Sequence, residues 1–279
     1  MRAQAALKVA VTGAAGRTGA LVIKKLVERK ADFEAVAIVR NASSKPKLVQ
    51  LGLPEQAIRE VDLASSGENA FTTAFAGCDT LIIATSAVPV LKPLSMLAVF
   101  WAKLTGGKGV MPEFGWKEGQ LPEQVDWIGQ KLQIDAAKAA GVRRVVLVSS
   151  MGGTEVESNL NKLGGNGNIL LWKRKAEQYL IASGLPYTVI HPGGLIDEAD
   201  GLRQLRVGVD DALAKEAVRN IPRGDVAELA VRCLTLKAAE NRSIDVIARP
   251  AGEGAPTTDF EELLTSMPAN CDYSINSQW

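Results

Sequence analysis

Little in this sequence staples, anchors or biases the chain. Of its 279 residues 3 are cysteines. Cys78, Cys233 and Cys271 stand far apart with no CxxC pair, which argues against a disulfide framework and against a zinc site. No metal is expected. Histidine occurs once, as His191. Net charge is +1, from 32 Lys and Arg against 31 Asp and Glu, and the two signs are interspersed, so no nucleic-acid surface is expected. The most apolar stretch, Leu94 to Ala102, is far shorter than the ~20 residues that span a bilayer. No segment repeats. Only a few residues precede the first strand pattern, too few for a signal or transit peptide.

What is present starts near the N-terminus. Leu7-Lys-Val-Ala-Val-Thr-Gly-Ala-Ala-Gly-Arg-Thr-Gly19 opens on a short apolar strand, Val9 to Val11. Gly13, Gly16 and Gly19 follow, and then Ala20 to Val27 carries apolar residues at helical spacing. Strand, glycine turn and helix in that order point to a dinucleotide site, with a purely structural turn as the alternative. Gly13 is expected to turn the chain sharply off the strand. Gly16 lets main-chain amides approach a pyrophosphate at the positive end of the helix, and Gly19 lets the helix pack closely. Strand and helix patterns alternate without a linker, so one α/β unit is expected. It is a doubly wound parallel sheet with a core over about 7–194, a lid-like insertion over 86–121 and a small C-terminal substrate lobe over about 195–279.

The spacing is GxxGxxG rather than GxGxxG, and TGAAGRTG resembles the short-chain dehydrogenase/reductase superfamily, in particular its atypical, NmrA-like branch. Four further stretches carry the resemblance: Glu123 to Lys131, Val148-Ser-Ser-Met-Gly-Gly-Thr154, Asn168 to Leu180, and Leu185 to Leu195. Together they span roughly Val9 to Ala248 and are similar to plant and algal members that bind NADP and have no assigned substrate. The resemblance implies a Rossmann fold and NADP(H) as cofactor. The expected location is the cytoplasm, or the chloroplast stroma if a transit peptide has been removed.

The second strand, Glu34 to Val39, ends at Arg40. In dinucleotide folds this strand end faces the adenosine ribose. A carboxylate there would repel a 2′-phosphate, whereas the planar fork of Arg40 can hold one. Arg17 is a second cation near the same pocket, so NADPH is favoured over NADH; a solvated arginine is the alternative. A third strand, Ala57 to Val61, ends at Asp62-Leu63, where the resemblance places a contact to the adenine and where Asp62 could instead cap the helix from Gly67 to Ala76. The fourth, Thr80 to Ala84, runs into Thr85 and Ser86 beside the cofactor ribose. Residues 86–121 hold Phe100, Trp101, Phe114 and Trp116 and read as a lid or substrate wall, with a subunit-contact patch in a homodimer as the competing reading.

A helix from Pro122 to Ala140 should turn Val125, Ile128, Leu132 and Ala136 inward. The fifth strand, Arg144 to Val148, delivers Ser149 and Ser150. A Gly/Asn-rich loop, Asn159 to Asn168, precedes a helix from Ile169 to Ala182, and the sixth strand, Tyr187 to Ile190, reaches His191, Pro192 and Gly193. Beyond Leu195 a helix over about 223–236, a strand Ser243 to Ala248 and a helix near 259–264 are expected, with an irregular tail after Met267. The expected cofactor contacts are Gly13, Ala15, Gly16, Arg17, Thr18, Gly19, Arg40, Asp62, Leu63, Ala84, Thr85, Ser86, Ser149, Lys173, Pro192 and Gly193.

Reducing a carbonyl with a nicotinamide needs an oxyanion partner and a proton donor. The family supplies them with a serine and a Tyr-x-x-x-Lys helix, whose lysine also lowers the tyrosine pKa. By the resemblance Lys173 takes the lysine position, but Ile169 stands where the tyrosine should be. Tyr179 projects from another helix face, and Lys175 reads as solvated. The catalytic candidates are therefore Ser150 as a polarising donor, Lys173 as a ribose and substrate contact, and His191 as an acid–base group. The plain alternative for Ser150 is a helix cap or turn bond, and for His191 a structural histidine. The function expected is reduction of a small carbonyl or quinone-like substrate by NADPH; the alternative is an NADP(H)-responsive sensor or scaffold that turns nothing over.

Overall fold

The computed structural model describes residues 5–62, 66–93, 95, 96, 101, 104, 112–267 and 269–276. Leu63, Phe100 and the glycines at 106, 107 and 109 lie outside the described residues. The main sheet holds β1 (Leu7–Thr12), β2 (Phe33–Val39), β3 (Ile58–Glu60), β4 (Thr80–Ile83), β7 (Arg144–Val148), β8 (Tyr187–Pro192), β10 (Leu205–Gly208) and β12 (Arg242–Ala248). Their order is β10-β12-β8-β7-β4-β1-β2-β3. Every neighbouring pair is parallel except β10 with β12. Two small pairs lie outside it: β5 (Val90–Leu91) with β6 (Phe114–Gly115), and β9 (Gly194–Ile196) with β11 (Asn220–Pro222). This is the doubly wound Rossmann arrangement.

The strands are apolar throughout because both faces are covered. Val9, Val11, Val146, Ile190 and Ile244 point to one face, into a core closed by α1 (Arg17–Glu28) and α7 (Arg223–Arg232). Ala10, Leu81, Val145, Leu147 and Val189 point to the other. That face is covered by α3 (Glu68–Phe75), α4 (Gly129–Ala139) and α6 (Ile169–Ala182). The short α2 (Lys45–Gln50) follows β2. The stretch after 195 returns β12 and β10 to the main sheet beside β8 and lays α7 against α1, before α8 (Phe260–Thr265). Lys25 of α1 and Arg29 just past its end clasp Glu228 of α7 at 3.4 and 2.6 Å.

Two expectations need correction. The chain enters α4 through a π-helical turn, Glu123–Ile128, which adds a residue and rotates the inward face. Ile128 is consequently 53% exposed, while Asp126, Gln130 and Gln133 are 0%, 1% and 0% exposed. The Gly/Asn-rich stretch is not a plain loop. Asn159–Asn166 forms α5, broken at Leu163 to Gly165, where Gly164 has φ +64° and a side chain would strike the Trp116 indole. The described residues of the tail, 269–276, are irregular as expected. They are nonetheless tied down: Asn270 Oδ1 accepts from Ser243 N at 2.7 Å and Arg174 donates to the carbonyls of Asp272 and Ile275 at 3.0 and 3.1 Å. No described helix is long and apolar enough to cross a membrane.

Candidate functional site

The glycine turn leaves β1 as a cradle. Gly13 has φ +64°, and a Cβ there would lie 2.5 Å from the Ala84 carbonyl oxygen, so only glycine fits between β1 and the β4 exit. At Gly19 a Cβ would run into the Gly13 carbonyl oxygen, so the close approach is between the first turn of α1 and the loop itself. Gly16 is the N-cap of α1, no side chain caps the helix and its first turn carries no acidic residue. An uncapped, acid-free helix start aims main-chain amides at the space above Gly16, and a pyrophosphate fits those donors.

Around the cradle, Ala15 and Thr18 are half-buried and Arg17 is exposed. Lys47 donates to the Ala15 carbonyl at 2.8 Å. Arg17 is ion-paired to Asp197, which Arg223 also holds at 2.9 Å. A cavity of about 400 Å³ opens on this side, lined by Arg17, Lys24, Lys47 and Arg223 with Leu51 and Ile196. Arg40 is exposed just past β2. Asp62 is half-buried and its carbonyl accepts from Ser66 N at 2.8 Å; the N-cap of α3 is Gly67, so Asp62 does not cap that helix.

The β4 exit is fastened from below. The Thr85 carbonyl accepts from Gln130 Nε2 at 3.0 Å, its hydroxyl from Gln133 Nε2 at 3.3 Å, and Asp126 Oδ2 accepts from Ala87 N at 2.9 Å. Ala84 bonds back to β1, with its N–H on Thr12 O at 3.2 Å, and Ser86 turns its hydroxyl to the Ala87 carbonyl. The π-turn thus aims a polar triad, Asp126, Gln130 and Gln133, at the segment expected to border the ribose. The same Asp126 receives Lys173: Nζ lies 2.7 Å from Oδ1, with the lysine 5% and the aspartate 0% exposed. Ile169, one turn earlier on α6, packs with Ala87, Leu170, Trp116 and Val125. The tyrosine position is therefore filled by a side chain with no proton to give.

His191 belongs to a separate buried cluster. Its Nε2 is 3.2 Å from Glu177 Oε2 and its Nδ1 is 3.0 Å from Asp245 Oδ1. Glu177 accepts from the Ser149 hydroxyl and, at 3.1 Å, from Tyr273. Burial disfavours the His191 charge, but Glu177 and the hydrogen bonds of Asp245, Cys271 and Glu177 outweigh it and hold its pKa well above the ordinary 6.5. Burial likewise opposes the Glu177 carboxylate, and His191 and Ser149 more than compensate, holding it below 4.5. Burial and the Glu177 charge push the Tyr273 phenol well above 10.0. His191 is thus clamped between two carboxylates.

Of the expected catalytic residues, Ser150 and His191 line one small space, and Lys173 is held apart from them by Asp126. Lys173 faces Asp126; Glu177, one turn on, leads to His191; Ser150 donates to the Met151 carbonyl at 3.0 Å. Pro192 accepts from Met151 N at 3.1 Å, and a side chain at Gly193 would strike the Arg219 carbonyl. Tyr179 donates to Asp135 at 2.6 Å, on another face as expected. Lys175 is not merely solvated, since its Nζ lies 4.6 Å from the Trp127 ring centroid. Asp126, Gln130, Gln133, Asp245, Cys271 and Tyr273 escaped the sequence reading. Two signals were available: the polar i, i+4, i+7 series from Asp126, and a carboxylate, Asp245, inside an apolar strand.

A sequence profile of an NAD(P)H-binding family matches residues 13–237. An uncharacterized chloroplastic protein of Arabidopsis thaliana is 50% identical over 262 residues, 94% of this chain and 75% of that protein. Sanguinarine reductase of Eschscholzia californica is 45% identical over 271 residues, covering 94% of this chain and 96% of the reductase. Among solved structures, an oxidoreductase of Lactococcus lactis superposes with a TM-score of 0.62 at 21% identity, over 93% of this chain and 96% of that one.

Proposed function

Because the chain belongs to this NAD(P)H-binding family of Rossmann-fold oxidoreductases, we propose that it is an NADPH-dependent reductase of a small carbonyl or quinone-like acceptor. The observation that carries the proposal is the buried Lys173–Asp126 pair, a lysine fixed beside the β4 exit where the family's lysine meets the nicotinamide ribose. Bound NADPH supplies the hydride. The amides at the start of α1 hold the pyrophosphate, and Arg40 holds the 2′-phosphate. Lys173 orients the ribose and the acceptor, the Ser150 hydroxyl rotates out to polarise the acceptor oxygen, and the proton reaches that oxygen from water or from Lys173. The apolar patch of Ala87, Trp116, Val125 and Ile169 supports an apolar or aromatic acceptor. The name and near-complete coverage of the Eschscholzia relative support a reductase, and the chloroplastic Arabidopsis relative supports a chloroplast location.

Ile169 in the tyrosine position favours a second reading, an NADP(H)-responsive sensor that keeps the cofactor site and turns nothing over. Loss of NADPH fluorescence against a panel of carbonyls and quinones decides between them. Turnover with at least one acceptor is expected; tight NADPH binding with no turnover selects the sensor. Arg40→Ala should cost ~1.5–3 kcal/mol of NADPH affinity and little of NADH affinity. Equal losses for both coenzymes in a calorimeter would remove Arg40 from the 2′-phosphate.

A further inference from the structure

We propose that His191 Nδ1, Asp245 Oδ1 and Cys271 Sγ form a binding site for one borderline-soft divalent cation of the zinc class. The three ligand atoms lie within 4.8 Å of one another. They come from β8, β12 and the C-terminal tail, so no linear spacing announces them. Nδ1 is 3.0 Å from Oδ1 and 3.9 Å from Sγ, and the set spans up to 4.8 Å, so the side chains must draw in around an ion with bonds of ~2.0–2.3 Å.

The surroundings are those of a metal site and go beyond a chance meeting of three side chains. The opposite ring nitrogen of His191, Nε2, faces Glu177 Oε2 at 3.2 Å, and Glu177 is in turn held by Ser149 and Tyr273. A carboxylate behind the imidazole is what fixes a metal-ligating histidine in tautomer and direction. The other oxygen of Asp245, Oδ2, accepts from Asp211 N at 2.7 Å, which aims Oδ1 at His191. Cys271 is half-buried and its thiol faces the Ser243 carbonyl at 3.4 Å.

Beside these ligands lies a small space of about 10 Å³, partly open to solvent, with room for about one water-sized body. His191, Asp245 and Cys271 line it together with Glu177, Asp210, Asp211 and Arg174. Four carboxylates thus meet the Arg174 guanidinium and the His191 ring. Arg174 directs its Nη2 to the carbonyls of Asp272 and Ile275 and stacks 4.7 Å from the Tyr273 ring centroid, and its charge also favours the Glu177 carboxylate. A thiolate and an imidazole select the zinc class over magnesium or calcium, which take oxygen ligands. The fourth position faces the small space and is left to water. Uptake of the ion releases two protons to solvent, one from the Cys271 thiol and one from His191 Nδ1.

The test uses the full chain, stripped with chelator and free of coenzyme, so its outcome is independent of the reductase assignment. Titration with Co²⁺ should give one ion per chain and a thiolate-to-cobalt charge-transfer band, and Zn²⁺ should displace it. Cys271→Ser should abolish the band, and Asp245→Asn should weaken binding at least ~tenfold. Cys78→Ser, remote from the cluster, should leave both unchanged. Cys271 is half-exposed on the tail, and an unchanged melting temperature of Cys271→Ser in chelator would show that the variant is folded. No stoichiometric uptake by the unmodified chain, or a band that survives in Cys271→Ser, would overturn the proposal.

Discussion

The two ends of the sheet's working edge are built by different means. At β1 the cradle is main chain: a positive φ at Gly13, an uncapped helix start at Gly16 and a close approach at Gly19, all within one short run of sequence. At β7, β8 and β12 the edge is side chain, and mostly charged. Lys173 with Asp126, and His191 with Glu177 and Asp245, are buried pairs whose members come from distant stretches of chain. Main-chain donors recognise any phosphate and need only the right turn. Buried charges are particular: each must find its partner, and each is costly to leave alone.

The largest break in this comparison should come from removing one member of a buried pair. Lys173→Met strands Asp126, whose second oxygen is already committed to Ala87 N, and should cost ~3–5 kcal/mol in urea unfolding. The double variant Lys173→Met with Asp126→Leu should recover a large part of it. A single variant as stable as the parent would show that the pair is not desolvated. Next comes Gly19→Ala, whose methyl meets the Gly13 carbonyl and should cost ~1–3 kcal/mol together with a clear loss of NADPH affinity by calorimetry. Coenzyme binding at parental strength would refute the main-chain cradle.

Smaller effects sharpen the contrast. Tyr273→Phe removes the hydroxyl shared by Glu177 and Ser243 and should cost ~1 kcal/mol, with the tail loosening first in hydrogen exchange. Full protection of residues 269–276 in that variant would deny the tail its anchor. On the dry face, burial raises the Glu228 pKa but Arg29 and Arg232 lower it further, so it ends below the ordinary 4.5. A depressed carboxyl stabilises the fold above 4.5 and loses that contribution as pH falls through its folded value. Glu228→Gln should therefore be ~1 kcal/mol less stable at neutral pH and show a shallower acid decline; a parallel decline would mean Glu228 is not clamped.

Most of the strand and helix order is legible from residues 7 to 194, because buried parallel strands are continuous apolar runs and the helices carry apolar periodicity. The face of the helix after Pro122 is misread for one reason. An inserted π-turn residue rotates everything that follows relative to the residues before it, and a fixed helical period cannot express that. The lysine of α6 is legible through its resemblance, whereas its partner Asp126 is not, since only the rotated helix turns it inward. Tyr273 and Cys271 sit in a stretch with no periodicity at all. Their burial depends on β12 joining the sheet beside β8 and leaving a face for the tail to cover.

By itself, then, the sequence determined the glycine cradle, the alternating α/β order and the absence of a tyrosine four residues before Lys173, since each is a property of neighbours along the chain. The pairing of Lys173 with Asp126, the clamping of His191 and the meeting of β8, β12 and the tail were decided only by tertiary structure. A buried charge is satisfied by whatever lies nearest in space, and distance along the chain does not record that.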